Sequence, residues 1–359
     1  MIHIVIGTKA QLIKMAPIMC KLHENNIYYN FIFTSQHLET IDSMLHKFRI
    51  KKPDYIMYKG HQDVTSLFQM LRWLISCLYE TIQNLSIIFQ NDKNGIVLVH
   101  GDTFSTLIGA IIGKIAGLQV GHIESGLRSF NIFHPFPEEL TRLMVFRLSD
   151  YYFCPGNWAL NNLMKYRNKK KINIGANTLY DTLNMVMQEK FEINLPLKPF
   201  GIVSIHRYEN IFNKHSLLKC IDIIEKISEH YFLLFILHLP TQKQLLRYGM
   251  YHRLKNNPNI ELRQRYNYAD FMYLLTNSDF LVTDGGSNQE ECSYLGTPCL
   301  LLRKATERIE GLKKNTVISE YNMPLINDFF DNLSKFKTEP INLIHSPSEK
   351  IIEICKDFA

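Results

Sequence analysis

The stretch TDGGSNQEE, residues 283–291, follows a short apolar run at residues 280–282. An apolar run that ends in two glycines and continues into a helical pattern is typical of a parallel β-strand, a tight turn and a helix. The glycines let a ligand approach the backbone, and the start of the helix offers N–H groups and a positive dipole end to a diphosphate. Glu291, one turn into the helix, has two oxygens for two ribose hydroxyls. The alternative is an ordinary capped helix with acidic residues in its first turn.

The same alternation of short apolar runs and longer amphipathic runs extends through the chain. Strand followed by helix in succession predicts right-handed crossovers and parallel sheets. In the first half, the predicted strands are residues 2–6, 29–33, 96–100, 120–123 and 151–154, and the predicted helices are residues 11–23, 37–47, 65–90, 105–116 and 138–147. In the second half, the predicted strands are residues 201–205, 232–237, 260–262, 280–282 and 299–302, and the predicted helices are residues 214–228, 241–255, 270–275 and 288–295.

An extended segment with two prolines, residues 194–199, separates the halves and is typical of a linker. The chain of 359 residues is long enough for two domains. We predict an N-terminal domain at residues 1–193, a C-terminal domain at residues 200–345 and a last helix at residues 346–359 that packs on the first domain. The predicted fold class is α/β, with two Rossmann-like doubly wound domains that face a central cleft. Because ligands bind at the carboxyl ends of such strands, the residues that follow each strand are the site candidates.

The composition narrows the class of protein. The formal charge of +6 fits an anionic ligand, and the densest basic run, Lys169–Lys171, is predicted to be an exposed turn. The sequence has neither the cysteine and histidine spacing of a zinc finger nor a strip of alternating basic and aromatic residues, so no nucleic-acid partner is predicted. Seven cysteines without a C-x-x-C pair fit reduced thiols in the cytoplasm and argue against a metal site. No signal-peptide pattern and no apolar run of about 18 residues is present, so we predict a cytoplasmic protein without membrane insertion.

Acidic residues follow neighbouring strands in the first half. Asp102 and Glu124 come after two successive predicted strands, and Glu138 opens the helix that comes next. Three carboxylates around one cleft raise at least one pKa, which suits acid and base catalysis. The alternatives are ordinary ones, with Asp102 as a helix N-cap and Glu138 as an acid in a first helical turn.

Basic residues follow other predicted strands. The glycine turn after the first strand carries Lys9 and leads to Lys14, and its backbone N–H groups would be offered to an anion. The alternative is an ordinary turn between a strand and a helix that binds no ligand. In the second half, His206 and Arg207 follow one strand and His238 follows the next. Two histidines and an arginine at matching strand ends indicate phosphate or sugar ligands.

Taken in order, these motifs resemble the UDP-N-acetylglucosamine 2-epimerase family of the bacterial non-hydrolysing type. The resemblance runs from the first strand to about residue 310. The motifs that carry it are Lys14-Met15-Ala16-Pro17, Ser35-Gln36-His37, Val99-His100-Gly101-Asp102-Thr103, Gly121-His122-Ile123-Glu124, Pro137-Glu138-Glu139, His206-Arg207, His238-Leu239, Gln289-Glu290-Glu291 and Thr306-Glu307-Arg308. The resemblance implies a GT-B-like fold of two Rossmann-like domains, with no metal and no nicotinamide cofactor.

The resemblance also implies roles for particular residues. The positions that match the family's catalytic residues are Asp102, Glu124, Glu138 and His206. By the same resemblance, Lys14 and His206 would meet the diphosphate, Ser287 and the Gly286 region would meet the phosphates, and Glu291 would meet the ribose. We predict that the substrate-binding set is completed by Lys9, Arg128, Arg207, His238 and Arg308. The predicted partner is a UDP-sugar, and a homodimer is left open.

The chain departs from the family pattern at three places. After Gly-Thr, the family's usual Arg-Pro-Glu is Lys9-Ala10-Gln11 here. The family's Asp-Ser-Gly-Gly is Asp284-Gly285-Gly286-Ser287, so a hydroxyl has moved, and the arginine that commonly follows Gln-His is Leu38. The carboxylates are intact, whereas the sugar substituents and any allosteric binding of a second UDP-sugar are not fixed by the sequence.

The reaction that these residues predict is epimerisation at C2 of UDP-N-acetylglucosamine. Departure of UDP from C1 acidifies the C2 proton, a carboxylate removes it, and UDP adds back while a proton reaches the other face. Asp102 and Glu138 are the predicted acid and base, Glu124 orients them, and His206 supports the diphosphate. The alternatives are a GT-B glycosyltransferase, a hydrolysing epimerase that releases N-acetylmannosamine and UDP, and a non-catalytic sensor of sugar nucleotides.

Overall fold

The computed structural model describes residues 1–36, 41–58, 60, 67–132, 137–189 and 191–359. They divide into two compact units, one made of Met1–Thr182 with Leu343–Ala359 and the other of Leu183–Asn342. Each unit contains one parallel sheet with helices, so the predicted α/β class with two doubly wound domains is confirmed. The domain limits predicted at residues 193 and 345 and the cleft between the domains stay predictions.

The sheet of the first unit has seven parallel strands within the described ranges. They are β1 (Ile2–Ile6), β2 (Tyr29–Phe33), β3 (Tyr55–Ile56), β4 (Ile96–His100), β5 (Gln119–Ile123), β6 (Tyr151–Cys154) and β7 (Lys170–Asn173). Their order across the sheet is β3-β2-β1-β4-β5-β6-β7. The central strands β1, β2 and β4 are buried along their whole length, as expected for parallel strands covered on both faces. The strand order reverses between β1 and β4, and ligands bind at such a switch point.

The helices of the first half connect these strands. They are α1 (Lys9–Glu24), α2 (Ile41–Lys47), α3 (Leu67–Ile88), α4 (Phe104–Ile115), α5 (Glu138–Leu148), α6 (Asn157–Asn161) and α7 (Leu179–Val186). The predicted helix starts at residues 37 and 65, together with the motif positions His37 and Leu38, lie outside the described residues.

A proline lies inside α1, and the carbonyl that loses its helical donor there accepts a hydrogen bond from another residue. Pro17 has no N–H, so the carbonyl of Ile13 loses its usual helical donor. The hydroxyl of Thr182 donates to that carbonyl at 2.7 Å. The last residue of the first segment of the first unit is therefore bonded to the middle of α1.

The second unit repeats the architecture. Its strands are β8 (Phe200–Ser204), β9 (Phe232–Leu237), β10 (Ile260–Gln264), β11 (Phe280–Thr283), β12 (Cys299–Leu301) and β13 (Thr316–Ile318), in the order β10-β9-β8-β11-β12-β13. Its helices are α8 (Tyr208–Ile211), α9 (Lys214–Ser228), α10 (Leu239–Arg247), α11 (Tyr251–Lys255), α12 (Tyr268–Thr276), α13 (Gly286–Leu295), α14 (Met323–Asp331) and α15 (Leu333–Phe336). Its core packs apolar residues of β8, β9, β11 and α9.

The chain returns to the first unit with its last helix, α16 (Pro347–Cys355), which is followed by a short 3₁₀ turn. The N–H of Ser348 donates to Oδ2 of Asp181 at 2.8 Å, and Lys21 on α1 pairs with Glu349 at 2.6 Å. Among the helices in the described ranges, none is both long enough and apolar enough to cross a bilayer.

Three details of the predicted secondary structure are wrong. Lys169–Lys171 is not an exposed turn, because Lys170 begins β7 and pairs with Tyr151 of β6. The short strands β3 and β13 are additional to the predicted ones. The helix predicted at residues 241–255 is two helices, since Gly249 adopts a φ of 74° that no helix interior accepts.

Candidate functional site

The turn that carries Asp102 is fixed by a buried histidine. Gly101 has a φ of 71°, and Nε2 of His122 donates to its carbonyl at 2.7 Å. The N-cap of α4 is Thr103, whose side chain accepts from the N–H of Thr106. The alternative interpretation of Asp102 as the helix cap is therefore wrong. The Asp102 side chain is 25% exposed and pairs with Arg142 of α5.

Arg142 joins Asp102 to a second, fully buried carboxylate. Its Nη1 lies 3.3 Å from Oε2 of Glu139, which also accepts from the N–H of Ser129 at 3.0 Å and pairs with Arg128. Burial alone would raise the pKa of Glu139, but the Ser129 N–H and the two arginines outweigh it and hold this pKa below its usual value. Glu139 is thus an ionised anchor.

Glu138, the predicted acid or base, opens α5 and is half-buried beside this anchor. Arg128, predicted to bind substrate, is occupied by Glu139 and lies over the ring of Phe130 at 4.7 Å. The structure therefore gives Arg128 a structural partner, and its contact with substrate stays a prediction.

Glu124 follows β5 in a conformation that is uncommon for a residue with a side chain. Its φ is 64°, and such strain persists where the surroundings hold it. Its buried Oε2 pairs with Lys14 and accepts from Asn177, and Nε2 of His100 lies 3.4 Å away. Lys14, predicted to meet the diphosphate, is buried and paired with Glu124 in this structure.

The sequence predicts that the glycine turn after β1 offers its backbone N–H groups to an anion. In the structure these groups are already bonded within the protein. The N–H groups of Gly7 and Thr8 donate to Oε1 of Gln11, at 3.0 and 3.1 Å. The amide nitrogen of Gln11 donates to the carbonyl of His100 at 2.9 Å. Gln11 therefore ties the ends of β1 and β4 together, while Lys9 lies half-buried in the first turn of α1.

In the second unit, Asp284 fixes the turn that follows β8. This buried carboxylate accepts from the N–H groups of His206 and Arg207, both at 3.0 Å, and from the amide of Asn210 at 2.9 Å. The hydroxyl of Tyr321 donates to the side-chain oxygen Oδ1 of Asn210 at 2.6 Å. The two predicted ligands His206 and Arg207 are thus presented by a hydrogen-bonded turn at the carboxyl edge of the sheet.

The two predicted histidines of this edge lie against each other. The rings of His206 and His238 stack with centroids 4.5 Å apart and an angle of 12° between their planes. Burial, the largest effect, lowers the pKa of His206, Asp284 opposes it, and Arg207 and Arg265 lower it further. These effects favour the neutral ring, and an anion beside it would favour the protonated form.

The glycine turn of residues 285–286 leads directly into α13. The N–H of Gly285 donates to the side chain of Thr283 at 3.0 Å. A Cβ at Gly285 would lie 2.6 Å from Oδ1 of Asn288 and 2.9 Å from Cε1 of His206. A larger residue here would need these two side chains to move. The first-turn N–H groups of α13, at Gly286 and the exposed Ser287, form the kind of helix start that binds anions.

Two adjacent carboxylates of α13 have different partners. Glu291 is buried and accepts from Asn288 at 2.8 Å. The buried hydroxyl of Tyr268 has its pKa raised far above the usual value, first by burial and then by Glu291 and Glu290. Glu290 pairs with Arg308 at 2.7 Å. The predicted contact of Arg308 with substrate stays a prediction.

A buried carboxylate with basic neighbours lies beside Arg308. Glu307 lies 3.0 Å from Arg303 and 3.7 Å from Arg207. Burial would raise its pKa, but Arg303, Arg207 and Arg308 lower it to about 2. The arginines at this edge of the second unit are donors of the kind that bind a diphosphate.

Several residues near the site are absent from the sequence predictions. The partners of the carboxylates are Arg142, Asn177, His100, Asn288 and Tyr268. Arg265 follows β10 directly, so the strand-end rule that finds His206 also finds it. Within the part of the chain that the structure describes, no group of three or more His, Cys, Asp or Glu side chains is placed to hold a metal ion.

Comparisons with known proteins identify relatives of this chain. A family model described as UDP-N-acetylglucosamine 2-epimerase matches residues 21–337. A UDP-N-acetylglucosamine 2-epimerase of Methanococcus maripaludis is 33% identical over 88% of this chain and 87% of that protein. The Neisseria meningitidis UDP-GlcNAc 2-epimerase bound to UDP-GlcNAc superposes with a TM-score of 0.82, at 27% identity over 99% of both chains. The Methanocaldococcus jannaschii enzyme in complex with UDP-GlcNAc and UDP gives a TM-score of 0.80, at 25% identity over 99% of both chains.

Proposed function

The chain belongs to the UDP-N-acetylglucosamine 2-epimerase family, and we propose that it interconverts UDP-GlcNAc and UDP-ManNAc. The observation that carries the proposal is the pair of carboxylates, Asp102 and Glu124, at the carboxyl ends of adjacent strands of the first unit. Both are held by basic side chains, Arg142 and Lys14 respectively. The product would be a precursor of a surface polysaccharide.

The chemistry needs a proton to leave one face of C2 and another to arrive on the opposite face. Asp102 is suited to one of these transfers because its side chain is 25% exposed and so remains reachable. Glu138, half-buried at the start of α5, is the second candidate. Glu124 is suited to orientation rather than proton transfer, since Lys14 and Asn177 already occupy its Oε2.

The leaving group needs a cationic and hydrogen-bonding environment. The start of α13 at Gly286 and Ser287 would bind the diphosphate, with His206 and Arg207 beside it at the same edge of the second sheet. Glu291 would accept hydrogen bonds from the ribose hydroxyls, with the amide of Asn288 holding its carboxylate in place at 2.8 Å. No metal is required in this scheme.

Deuterium exchange tests the reaction and separates its alternatives. UDP-GlcNAc incubated with the protein in deuterated water should gain deuterium at C2 and equilibrate with UDP-ManNAc, as seen by NMR, without net loss of UDP-sugar. Stoichiometric release of N-acetylmannosamine would instead establish the hydrolysing reaction. Sugar transfer to an acceptor without exchange would establish a glycosyltransferase, and no exchange with any UDP-HexNAc would exclude an epimerase.

We also propose that the active form is a homodimer that pairs through α3. Four apolar side chains on one face of α3, spaced four, four and three residues apart, are each more than half exposed: Leu71, Ile75, Tyr79 and Ile82. A continuous exposed apolar stripe is typical of an interface, and a second copy of the chain supplies the same stripe about a two-fold axis.

Light scattering coupled to size-exclusion chromatography tests the dimer. Ile75→Glu should convert a dimer to a monomer, because it places a charge in the middle of the stripe. Leu246→Glu is the matched control, since Leu246 is a similarly exposed apolar residue of α10 in the second unit. A wild-type monomer, or a dimer in both variants, would contradict the proposal.

We place the reaction in the cytoplasm. All seven cysteines are free thiols, which supports a reducing compartment.

A further inference from the structure

His100, the last residue of β4, lies between the two carboxylates at the carboxyl edge of the first sheet. Its imidazole is buried and its Nε2 lies 3.4 Å from Oε2 of Glu124. Its charged and titratable neighbours are Glu124, Lys14, His122 and Asp102. None of the roles assigned above uses this side chain.

The backbone of His100 is as constrained as its side chain. Its carbonyl accepts from the amide of Gln11 at 2.9 Å and from the hydroxyl of Thr106 at 2.6 Å. The next two residues are Gly101 and Asp102, so these bonds fix the start of the turn that carries Asp102. His100 therefore links the backbone that precedes Asp102 to the carboxylate of Glu124.

One ring nitrogen of His100, Nε2, makes no hydrogen bond to any residue that the structure describes. This nitrogen is buried, and leaving a buried donor unpaired is costly. Burial, the largest effect, lowers the pKa of this imidazole to about 4 against the opposing influence of Glu124. The ring is neutral near pH 7, and we infer that its proton lies on Nε2, where it faces an oxygen of Glu124.

We propose that His100 is a positioning residue for the epimerisation, whose Nε2–H closes on Glu124 when substrate binds while its backbone carbonyl holds the Asp102 turn. The proposal rests on the function proposed above. A shift of about 0.5 Å, with a turn of the N–H toward the oxygen, would convert the 3.4 Å separation into an ordinary hydrogen bond. Catalytic hydrogen bonds are often long in the free enzyme and tighten with substrate. A neutral donor steadies Glu124 without adding a second positive charge beside Lys14.

Three substitutions separate the N–H from the bulk of the ring. His100→Gln places an amide nitrogen near the position of Nε2, His100→Asn places one near Nδ1, and His100→Met fills the space without a donor. We expect the glutamine variant to retain most of the wild-type kcat. The asparagine and methionine variants should lose about 10- to 100-fold in kcat with little change in KM, the size expected for a lost hydrogen bond to an ionised group.

The matched control is His3, a fully buried histidine at the opposite edge of the same sheet. Its Nε2 lies 3.0 Å from a carboxylate oxygen of Asp92. His3→Met should lower the melting temperature without lowering kcat for C2 exchange in the molecules that remain folded. This outcome separates damage to the fold from loss of the His100 donor.

Two results would overturn the proposal: full kcat in all three His100 variants, or a kcat in His100→Gln as low as that in His100→Met. Equal loss would mean that the imidazole matters for packing and not for its donor. Failure of the proposed function itself is distinguishable, because the wild-type protein would then show no C2 exchange.

Discussion

Replacing Asp102 by asparagine separates a catalytic role for this residue from a structural one. The substitution keeps the shape of the side chain and removes its charge. Asp102 is 25% exposed and pairs with Arg142, whereas the cap of α4 is Thr103. Loss of a helix cap therefore cannot account for the outcome.

The expected effects on stability and on turnover differ in size. Arg142 keeps its contact with Glu139 at 3.3 Å in the variant, so one of its two ion pairs is lost. We expect a loss of about 1–2 kcal/mol in the free energy of unfolding, or about 2–8 °C in melting temperature for a unit of this size. Loss of a general acid or base lowers turnover by about 10²–10⁴-fold, which raises the activation barrier by about 2.7–5.4 kcal/mol.

The assay combines C2 deuterium exchange, thermal melting and UDP titration on the same preparation. UDP affinity should stay near that of the wild type, because the proposed ligands Ser287, His206 and Glu291 lie in the second unit and Lys14 is left intact. Asp150→Asn is the matched control, since this carboxylate is 20% exposed, pairs with Lys114 and Lys169, and precedes β6 at the opposite edge of the sheet. It should lose at least as much stability as Asp102→Asn, because Asp150 also accepts from the N–H of Val120, and it should leave exchange intact. Near-normal exchange in Asp102→Asn would refute the reasoning and leave Glu138 as the leading candidate.

Glu291→Ala should weaken UDP binding by about 10- to 100-fold, because the ribose hydroxyls lose a charge-assisted partner; unchanged affinity in titration calorimetry would exclude this placement. Gly285→Ser should lower the melting temperature and the UDP affinity, because the new Cβ would lie 2.6 Å from Oδ1 of Asn288. Adding Asn288→Ala should recover part of the melting temperature, since Cε1 of His206 still lies 2.9 Å from the new Cβ, and no recovery would show that the clash with Asn288 is not the cause. The stability of the first unit should fall as the pH drops from 6.5 to about 4, because burial lowers the pKa of His100 and of His122 to about 4. Between these pH values the unfolded chain binds protons that the folded chain does not. A plot of the free energy of unfolding in urea against pH should therefore slope upward, and the slope should become smaller when both histidines are replaced by glutamine.

The central strands could be predicted from the sequence, as could the edge strand β10, whereas the edge strands β3, β7 and β13 could not. The strands β1, β2, β4, β6 and β9 match the predicted limits residue for residue, since each is a short apolar run between turn residues. A strand at the edge of a sheet is commonly short or charged, which prevents pairing with other chains. The two-residue β3 and the lysine-rich β7 therefore lack the apolar run on which prediction depends.

The site could be predicted in part for a similar reason. A residue that follows a parallel strand lies at the carboxyl edge, so Asp102 and Glu124 could be identified without coordinates. The contact between Asp102 and Arg142 joins residues 40 positions apart and depends on how α5 packs against α4. Likewise, the sequence cannot tell Glu138 from its neighbour Glu139 until the helix shows which of them is fully buried.

The second unit is inserted between two segments of the first, and this order has a consequence for how the protein is made. Translation completes Leu183–Asn342 before it reaches Leu343–Ala359. During that interval the surface of α1 that α16 later covers is open, because Ile351, Ile352 and Cys355 are not yet in place. A nascent chain can therefore have a finished second unit while its first unit still exposes apolar surface, which is the stage at which newly made proteins most readily aggregate.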